Sequence, residues 1–456
     1  MRREDGLELG PSAGALIFLR EVVRMDHRVG HDSVVNHLIT VLANKYLFLY
    51  GVISRIGKST EGEADGPATA GPIDGENPMD FEFTDEQKHW HETVHRFMDH
   101  EVGREYTREH DASRQFPEEA YRKMAEQGWL GILVPERLGG LEADPVMYAI
   151  FCEAIAKFSL DTAACVMTSM FTAMNIVHNG TDAQREEYLP GFLAGERKFA
   201  VSISEPQAGS DAAAVATRAR LDDSAWVING NKVWCSGAHH PNTTIAVLVR
   251  TGEDRHGGLS LILVPNDTPG VEIRKMDTLV RRSLGTTEIF FTDARLPREN
   301  TIGEVNHGWE YIGQHLEYER LSLAASYVGN ARTALNDTIA YTKDRKQFGR
   351  SLSSFQVLKH RMAENECEIE AARLLVYNAA CKMARGQRAV KEVSMAKVFA
   401  AEVAFKTAFN GMQALGGYAQ LPEYDMERYF REAKHGMVGG GANEIQRSII
   451  AKEMGL

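Results

Sequence analysis

The chain is poor in cysteine, has no excess of basic residues and contains no long uninterrupted apolar run. Its five cysteines are scattered without a Cys-x-x-Cys pair, which indicates reduced thiols rather than a disulfide framework. The formal net charge of -12 argues against nucleic-acid binding, because such proteins need a basic surface for phosphates. These features favour a globular protein of a cytosolic or matrix-like compartment, and 43% hydrophobic and 25% charged residues agree with that.

Membrane insertion is also disfavoured by the sequence. The best candidate segment, residues 34–53, is interrupted by four polar or charged side chains: Asn36, His37, Asn44 and Lys45. The first residues, Met-Arg-Arg-Glu-Asp-Gly, lack the apolar centre of a secretory signal and are acidic for an organellar transit peptide. We therefore expect a cytoplasmic protein without stable membrane insertion.

A length of 456 residues predicts two or three domains. Residues 1–78 differ from the rest: an amphipathic helix is expected over 33–55, followed by a linker rich in Gly, Glu, Pro, Ala and Asp. A capping box, Thr84 with Gln87, then opens a helix. We predict an atypical N-terminal extension and linker over 1–78 and hypothesise that the natural start is Met79.

The rest of the chain changes from helical to strand-like patterns and back. Helical periodicity extends over 79–197 and returns over 308–456. Between them, 198–307 contains short apolar runs of strand length, and Asn229-Gly230 is predicted to be the turn of a hairpin. The sequence therefore predicts a mainly α protein with an N-terminal helical domain, a middle β domain and a C-terminal helical domain.

Five motifs occur in order along this region. They are Ile203-Ser-Glu-Pro-Gln-Ala-Gly-Ser-Asp211, Trp234-Cys-Ser236, Arg345-Lys-Gln-Phe-Gly349 with Phe355-Gln356, Gln413-Ala-Leu-Gly-Gly417 and Ala442-Asn-Glu444. Together they resemble the acyl-CoA dehydrogenase family over 79–456, although Cys235 departs from the aliphatic residue commoner in that motif. The resemblance implies FAD as cofactor, a C-terminal four-helix bundle and a homotetramer built as a dimer of dimers.

The resemblance also implies which residues hold FAD. The first two motifs are expected beside the flavin ring, with the Ser236 hydroxyl at its N5 edge. The third and fourth are expected to reach the FAD of a neighbouring subunit, where Arg345 suits a pyrophosphate because its planar guanidinium donates two hydrogen bonds at once. The residues expected to bind the cofactor are Ile203, Ser204, Ser210, Trp234, Cys235, Ser236, Arg345, Gln347, Phe348, Phe355, Gln356, Gln413, Gly416, Gly417, Ala442, Asn443 and Glu444.

The catalytic base is the main departure from the commoner family pattern. Many members have a glutamate where this chain has Gly440, within three consecutive glycines. The isovaleryl-CoA and long-chain types carry the base on an earlier helix in a Glu-Arg pair, and the matching pair here is Glu319-Arg320. Helical periodicity supports this position independently, because residue 319 falls in an apolar stripe. That stripe consists of Ile312, Leu316, Glu319 and Leu323.

The resemblance implies α,β-dehydrogenation of an acyl-CoA thioester, with α-proton abstraction by Glu319 and hydride transfer to flavin N5. Gly440 is expected to contribute its backbone N–H, which would polarise the thioester carbonyl. Electron-transfer flavoprotein is the expected electron acceptor, and an acyl carrier protein could replace CoA. Substrate contacts are expected from Ser210, Glu317, Arg320 and Gly441.

Two alternatives stay open on this scaffold: a flavin oxidase or monooxygenase, and a non-catalytic acyl-CoA-binding homologue. No metal site is expected. His91-Glu-Thr-Val-His95 matches the His-Glu-x-x-His pattern of zinc proteases, but no third ligand is identifiable and an amphipathic helix explains the segment better. The His239-His240 loop is likewise expected to be a polar loop rather than a metal site.

Overall fold

A computed structural model describes residues 82–456, which form one compact unit. The predicted extension and linker over 1–78 and the hypothetical start at Met79 lie outside the described residues. The first helices of the described part are α1 (Asp85–Phe97), α2 (Gly103–Ser113), α3 (Glu118–Glu126), α4 (Pro145–Ile155), α5 (Leu160–Asn179) and α6 (Asp182–Leu193).

Local signals define how several of these helices begin. The capping box predicted at Thr84 is confirmed, and Thr181 opens α6 in the same way. Helix α5 is long and apolar enough to cross a membrane by length and composition, but 94% of its apolar window is buried inside the protein. Such burial is typical of the core helix of a globular domain, so the composition of α5 is weak evidence for a membrane span.

A seven-stranded sheet forms the middle domain. Its strands are β1 (Lys198–Ser202), β2 (Arg218–Asp222), β3 (Ala225–Ser236), β4 (Thr243–Arg250), β5 (Leu259–Pro265), β6 (Val271–Met276) and β7 (Thr286–Pro297). They follow the order β1-β4-β2-β3-β7-β6, and β5 pairs with β4 off this path. On β4, Ile245, Val247 and Val249 point into one core, since alternate residues of a strand share a face.

The hairpin predicted at Asn229-Gly230 is wrong. Both residues lie inside the continuous strand β3, and the hairpin that does form joins β2 to β3. Gly230 instead marks a bulge, because its φ is 141° and the register with β7 shifts between Ile228 and Gly230. A Cβ at Gly230 would lie 2.6 Å from Oγ1 of Thr217, which explains the glycine. Pairing with β7 on both sides of the bulge overrides the local turn signal.

Long helices form the C-terminal domain. Its elements are α7 (Gly308–Asp344), β8 (Lys346–Gln347), β9 (Arg350–Ser351), α8 (Gln356–Ala384), α9 (Val390–Leu415), α10 (Met426–His435) and α11 (Asn443–Glu453). The 37-residue helix α7 packs against α8 and α9 of the C-terminal domain and also against α4 and α5 of the N-terminal domain, so it joins the two helical domains. The predicted fold class, helical, then β, then helical, is confirmed.

Candidate active site

Glu319 lies on α7 within the predicted apolar stripe, whose other three members are buried or partly buried. Its side chain is half-buried, and burial raises the pKa of its carboxyl group, while the charges of Arg320 and Lys397 oppose that shift. A carboxylate with a raised pKa accepts a proton readily near neutral pH, and cationic neighbours keep it ionised beforehand. Glu319 therefore has the electrostatic surroundings of a general base.

Gly440 lies beside Glu319, in the loop between α10 and α11, with a φ of +63°. A Cβ built on Gly440 would lie 4.0 Å from Oε1 of Glu319 and 2.3 Å from Cδ1 of Leu323. The Glu319 carboxylate is therefore next to the space that a side chain at residue 440 would occupy, and Leu323 partly fills that space. Within residues 82–456 the Gly440 N–H donates no hydrogen bond. The two residues predicted to be catalytic are thus neighbours.

Two buried side chains hold the carbonyl groups of this loop. Lys397 of α9 donates from Nζ to the Gly441 oxygen at 2.7 Å and to Oδ1 of Asn443 at 3.2 Å. Gln446 of α11 donates from Nε2 to the oxygens of Gly440 at 3.2 Å and of Gly441 at 3.4 Å. Sequence reasoning missed both anchors, because an isolated Lys or Gln within a helix carries no motif.

The Ala442-Asn-Glu444 motif has fewer side chains available to a ligand than the sequence predicts. The side chain of Asn443 is buried, and its amide nitrogen donates to Oε1 of Glu402 at 3.2 Å while its oxygen accepts from Lys397. Glu444 is exposed, and Ala442 is half-buried. Asn443 is therefore engaged within the protein, and its role at the cofactor stays a prediction.

The residues predicted to bind substrate are spread over the site. Burial raises the pKa of Glu317, while the backbone of Ala389 and the charges of Arg388 and Arg320 oppose that shift. Arg320 is buried, and its Nε has no hydrogen-bond partner within the described chain. Ser210 and Gly441 are exposed. Glu317 and Glu319 thus face different surroundings, as their helical spacing predicts.

The first two motifs are adjacent, one in the loop after β1 and the other at the end of β3. The Val233 N–H donates to the Ser204 carbonyl at 3.0 Å and ties the 203–211 loop to β3. Trp234 has a φ of +64° and is 60% exposed, so its ring is available to a ligand. Cys235 is buried, and burial raises the pKa of its thiol to about 12. Its side chain points into the sheet core, so only its main chain can face a cofactor.

A buried ion pair supports this loop. Glu205 accepts from Nζ of Lys232 at 2.8 Å and from the N–H groups of Ala216 and Thr217 at 2.7 and 2.9 Å. Burial alone would raise the pKa of Glu205, but the charge of Lys232 and these donors outweigh it and lower the pKa. Burial lowers the pKa of Lys232 to about 8, although Glu205 opposes that shift. Glu205 was missing from the predicted site, and it fixes the loop that carries three of the predicted site residues, Ile203, Ser204 and Ser210.

The third and fourth motifs form a second, exposed group. The Arg345 guanidinium lies 5.4 Å from the ring centroid of Tyr418, which joins the end of α7 to the segment after α9. Phe348 is 91% exposed, and both Gly416 and Gly417 border open space. Within residues 82–456 no hydrogen bond, ion pair or ring contact links this group to the 203–236 region. The remaining members, Gln347, Phe355, Gln356 and Gln413, lie beside these residues along the chain and are exposed except for the half-buried Phe355.

The histidine motifs have no third potential metal ligand beside them within residues 82–456. The rings of His91 and His95 lie 4.2 Å apart on α1, but residues 82–456 contain no group of three potential ligands. The ring nitrogen Nε2 of His240 donates to the Leu284 carbonyl at 2.7 Å, and burial lowers the pKa of this histidine to about 4. These histidines are explained by packing and hydrogen bonding.

Comparison with known proteins accounts for all three domains. The N-terminal, middle and C-terminal domain models of acyl-CoA dehydrogenase match residues 84–196, 200–294 and 306–455. The probable acyl-CoA dehydrogenase YngJ of Bacillus subtilis is 35% identical over 380 residues, which cover 82% of this chain and 100% of that protein.

Two other relatives differ in their reported roles. Subunit CarC of the caffeyl-CoA reductase-Etf complex of Acetobacterium woodii is 33% identical over 374 residues, 81% of this chain and 98% of CarC. The prolyl acyl carrier protein oxidase AnaB superposes with a TM-score of 0.78 at 26% identity, covering 82% of this chain and 100% of AnaB. Together with the three domain matches, these similarities place the chain in the acyl-CoA dehydrogenase family, FAD-dependent oxidoreductases that act on CH–CH groups.

Proposed function

We propose that the protein oxidises an acyl-CoA thioester to the 2-enoyl-CoA, with Glu319 as the base that removes the α-proton. The observation that carries the proposal is the 4.0 Å between Oε1 of Glu319 and the Cβ position of residue 440. A carboxylate at residue 440 and the carboxylate of Glu319 would approach the same point from two elements. A base on α7 can therefore do what a base on the glycine loop does in other members.

The residues beside the sheet fit an FAD cofactor. The exposed Trp234 ring offers an aromatic face, Ser236 places a half-buried hydroxyl two residues later, and Gly209 borders open space. FAD, when bound, accepts the hydrogen that leaves the β-carbon together with its electron pair. The chain itself holds the 203–211 loop through Glu205 and keeps water from the buried ion pair beneath it.

Gly440 is proposed to complete the reaction by hydrogen bonding to the thioester carbonyl. Its N–H has no partner within residues 82–456, so the donor is available. Removal of the α-proton shifts negative charge onto the carbonyl oxygen, and a fixed N–H stabilises that charge. Glu319 then holds the proton, and the product is released as the unsaturated thioester.

The partners are proposed from the relatives. CarC belongs to a complex with an Etf, which supports electron-transfer flavoprotein as the electron acceptor of this chain. AnaB is a carrier-protein oxidase, so an acyl carrier protein substrate and oxygen as acceptor are the competing outcomes. We also propose a homotetramer, in which the exposed Arg345 and Phe348 group reaches the cofactor of a neighbouring subunit. Light scattering of the FAD-loaded protein measures that assembly.

Anaerobic bleaching of the flavin by a panel of acyl-CoA thioesters tests the proposed reaction. We expect wild type to bleach and Glu319→Gln to bleach slower by about 10²–10⁴-fold, because the amide cannot take the proton. Glu310→Gln, on the exposed side of the same helix, is the matched control and should bleach like wild type. A Glu319→Gln protein as fast as wild type would refute the base.

The same experiment separates the alternatives. Rapid reoxidation of the reduced flavin by oxygen in the presence of product indicates an oxidase or monooxygenase. Binding of acyl-CoA without bleaching in wild type indicates a non-catalytic homologue. Bleaching by an acyl carrier protein thioester but by no CoA thioester changes the substrate class and leaves the base assignment intact.

A further inference from the structure

Lys397 is a fully buried lysine whose ammonium group points at the glycine loop. It lies on α9 with 0% exposure, and Nζ donates to the Gly441 carbonyl at 2.7 Å and to Oδ1 of Asn443 at 3.2 Å. A buried lysine is costly unless its charge has partners, and fully buried lysines are rare. Neither acceptor is itself charged, so the two hydrogen bonds do not by themselves explain why the charge is there.

The hydrogen bonds fix a segment with unusual freedom. Gly440 and Gly441 have φ values of +63° and +86°, and glycine populates many other conformations equally well. Lys397 and Gln446 hold the two carbonyl groups of this pair. With these carbonyl groups held, the peptide planes that follow Gly440 and Gly441 are restricted. Lys397 thus fixes the loop directly after Gly440, and the position of the Gly440 N–H depends on it through Gly441.

The charge of Lys397 also affects the pKa of the proposed base. Lys397 opposes the raised pKa of Glu319, and Glu319 opposes the lowered pKa of Lys397. Arg320 is the second cation that influences both pKa values. Burial lowers the pKa of Lys397 to about 8, with Arg320 acting in the same direction, while Glu319, Glu444 and Glu402 oppose the shift. The geometry agrees with this coupling, because Nζ of Lys397 bonds to Gly441 and the Cβ position of the adjacent Gly440 lies 4.0 Å from Oε1 of Glu319.

Besides the carboxylates of Glu402 and Glu444, which act on Lys397, the pair is faced by one histidine and two tyrosines that are neutral near physiological pH. Burial lowers the pKa of His435 on α10 to about 3, with Lys397 acting in the same direction. Burial raises the pKa of Tyr148 on α4 and of Tyr327 on α7, and Glu319 contributes to both shifts. Lys397 and Arg320 are therefore the cations that oppose the raised pKa of Glu319.

We propose that Lys397 is a positioning residue for the reaction: it anchors the glycine loop that carries the Gly440 N–H and keeps Glu319 ionised. This inference rests on the proposed function, because it assumes that Glu319 is the base. It gives one buried side chain two effects on catalysis, one through hydrogen-bond geometry and one through charge. The two effects are separable by substitution.

The test compares Lys397→Met and Lys397→Arg in the FAD-loaded protein, by the pH dependence of anaerobic flavin bleaching with one acyl-CoA. Methionine removes the charge, so the acid limb of the profile should move upward by about one pH unit. A shift of that size makes bleaching about tenfold slower at any pH well below the limb. Arginine keeps the charge but changes the donor geometry, so the limb should stay in place while the plateau rate falls.

A matched control comes from the same helix: Lys406→Met removes an exposed lysine and should leave the profile unchanged. If Lys397→Met does not yield FAD-loaded enzyme, Lys397→Gln replaces it, because glutamine also removes the charge and the same shift is expected. A neutral variant with reduced FAD content or stability but a wild-type acid limb would show that Lys397 has only a structural role.

The outcomes distinguish this inference from the function on which it rests. If Glu319→Gln bleaches like wild type, the base assignment fails and the role of Lys397 fails with it. If Glu319→Gln is inactive while Lys397→Met keeps the wild-type limb, only the charge effect of Lys397 is overturned. A Lys397→Arg enzyme with an unchanged plateau rate overturns the anchoring effect.

Discussion

The substitution Gly440→Ala should destabilise the folded protein for two reasons, backbone strain and a clash with Leu323. Gly386→Ala introduces the backbone strain alone. Gly440 has a φ of +63° and Gly386 a φ of +67°, so a methyl group meets nearly the same backbone strain at both, about 1 kcal/mol. At Gly386 nothing lies within 4 Å of the added Cβ, whereas at Gly440 Cδ1 of Leu323 lies at 2.3 Å. The difference between the two variants therefore isolates the packing cost.

The packing cost follows from the displacement of Leu323. Carbon atoms need about 3.5 Å or more between them, so Leu323 must move by more than 1 Å from the 2.3 Å contact. Overpacking of this kind costs about 1–3 kcal/mol, and we expect Gly440→Ala to exceed Gly386→Ala by that amount in the free energy of unfolding. Urea titration of the FAD-loaded protein at one fixed concentration measures the difference, since stability of an oligomer depends on concentration.

A double-mutant cycle checks the assigned cause. Leu323→Ala opens the space, so its cost and that of Gly440→Ala should not add, and a coupling energy of about 1–2 kcal/mol is expected. Flavin bleaching should also slow in Gly440→Ala and not in Gly386→Ala, because only the former places a methyl group 4.0 Å from Oε1 of Glu319. Equal unfolding costs at the two glycines, or strict additivity with Leu323→Ala, would refute the reasoning.

Two more predictions concern the site. Adding Gly440→Glu to Glu319→Gln should restore part of the lost bleaching rate, because the new side chain starts 4.0 Å from the old carboxylate oxygen; a double variant as slow as Glu319→Gln contradicts the shared position. Glu205→Gln leaves the buried charge of Lys232 without its partner, so it should cost about 3–5 kcal/mol of stability and release FAD on gel filtration. Glu304→Gln removes an exposed carboxylate and is its control; equal FAD retention in both variants would remove Glu205 from the cofactor loop.

The orientation of Glu319 could be predicted from the sequence because it depends only on local geometry. Helix α7 is regular over all of its 37 residues, so the spacing of apolar residues correctly gives the face on which residue 319 lies. The fold class was predictable for a similar reason, since long stretches of one periodicity fill each domain. The prediction of a turn at Asn229-Gly230 was wrong because the continuation of a strand depends on the strand it pairs with. Here that strand is β7, about sixty residues further along the chain.

The anchors of the site could not be predicted, because each depends on a distant partner. Lys397 finds its acceptor 44 residues later, at Gly441, and Lys232 finds Glu205 27 residues earlier. In the sequence, each lysine is one charged residue in a helix or strand and has no motif around it. Only the fold brings each ammonium group to its acceptor, so sequence reasoning named the residues predicted to contact ligands and missed the residues that anchor them.

The packing around the three glycines at residues 439–441 bears on where a base can lie in this site. A Cβ on the first would lie 2.3 Å from Nε2 of His435, on the second 2.3 Å from Cδ1 of Leu323, and on the third 2.6 Å from Nε2 of Gln446. Side chains from α10, α7 and α11 thus each use space that a missing side chain leaves. The surroundings of the loop are therefore packed for glycine at these three residues and leave no room for a side chain there. A base on α7 is compatible with this packing, whereas a base on the loop requires Leu323 to move.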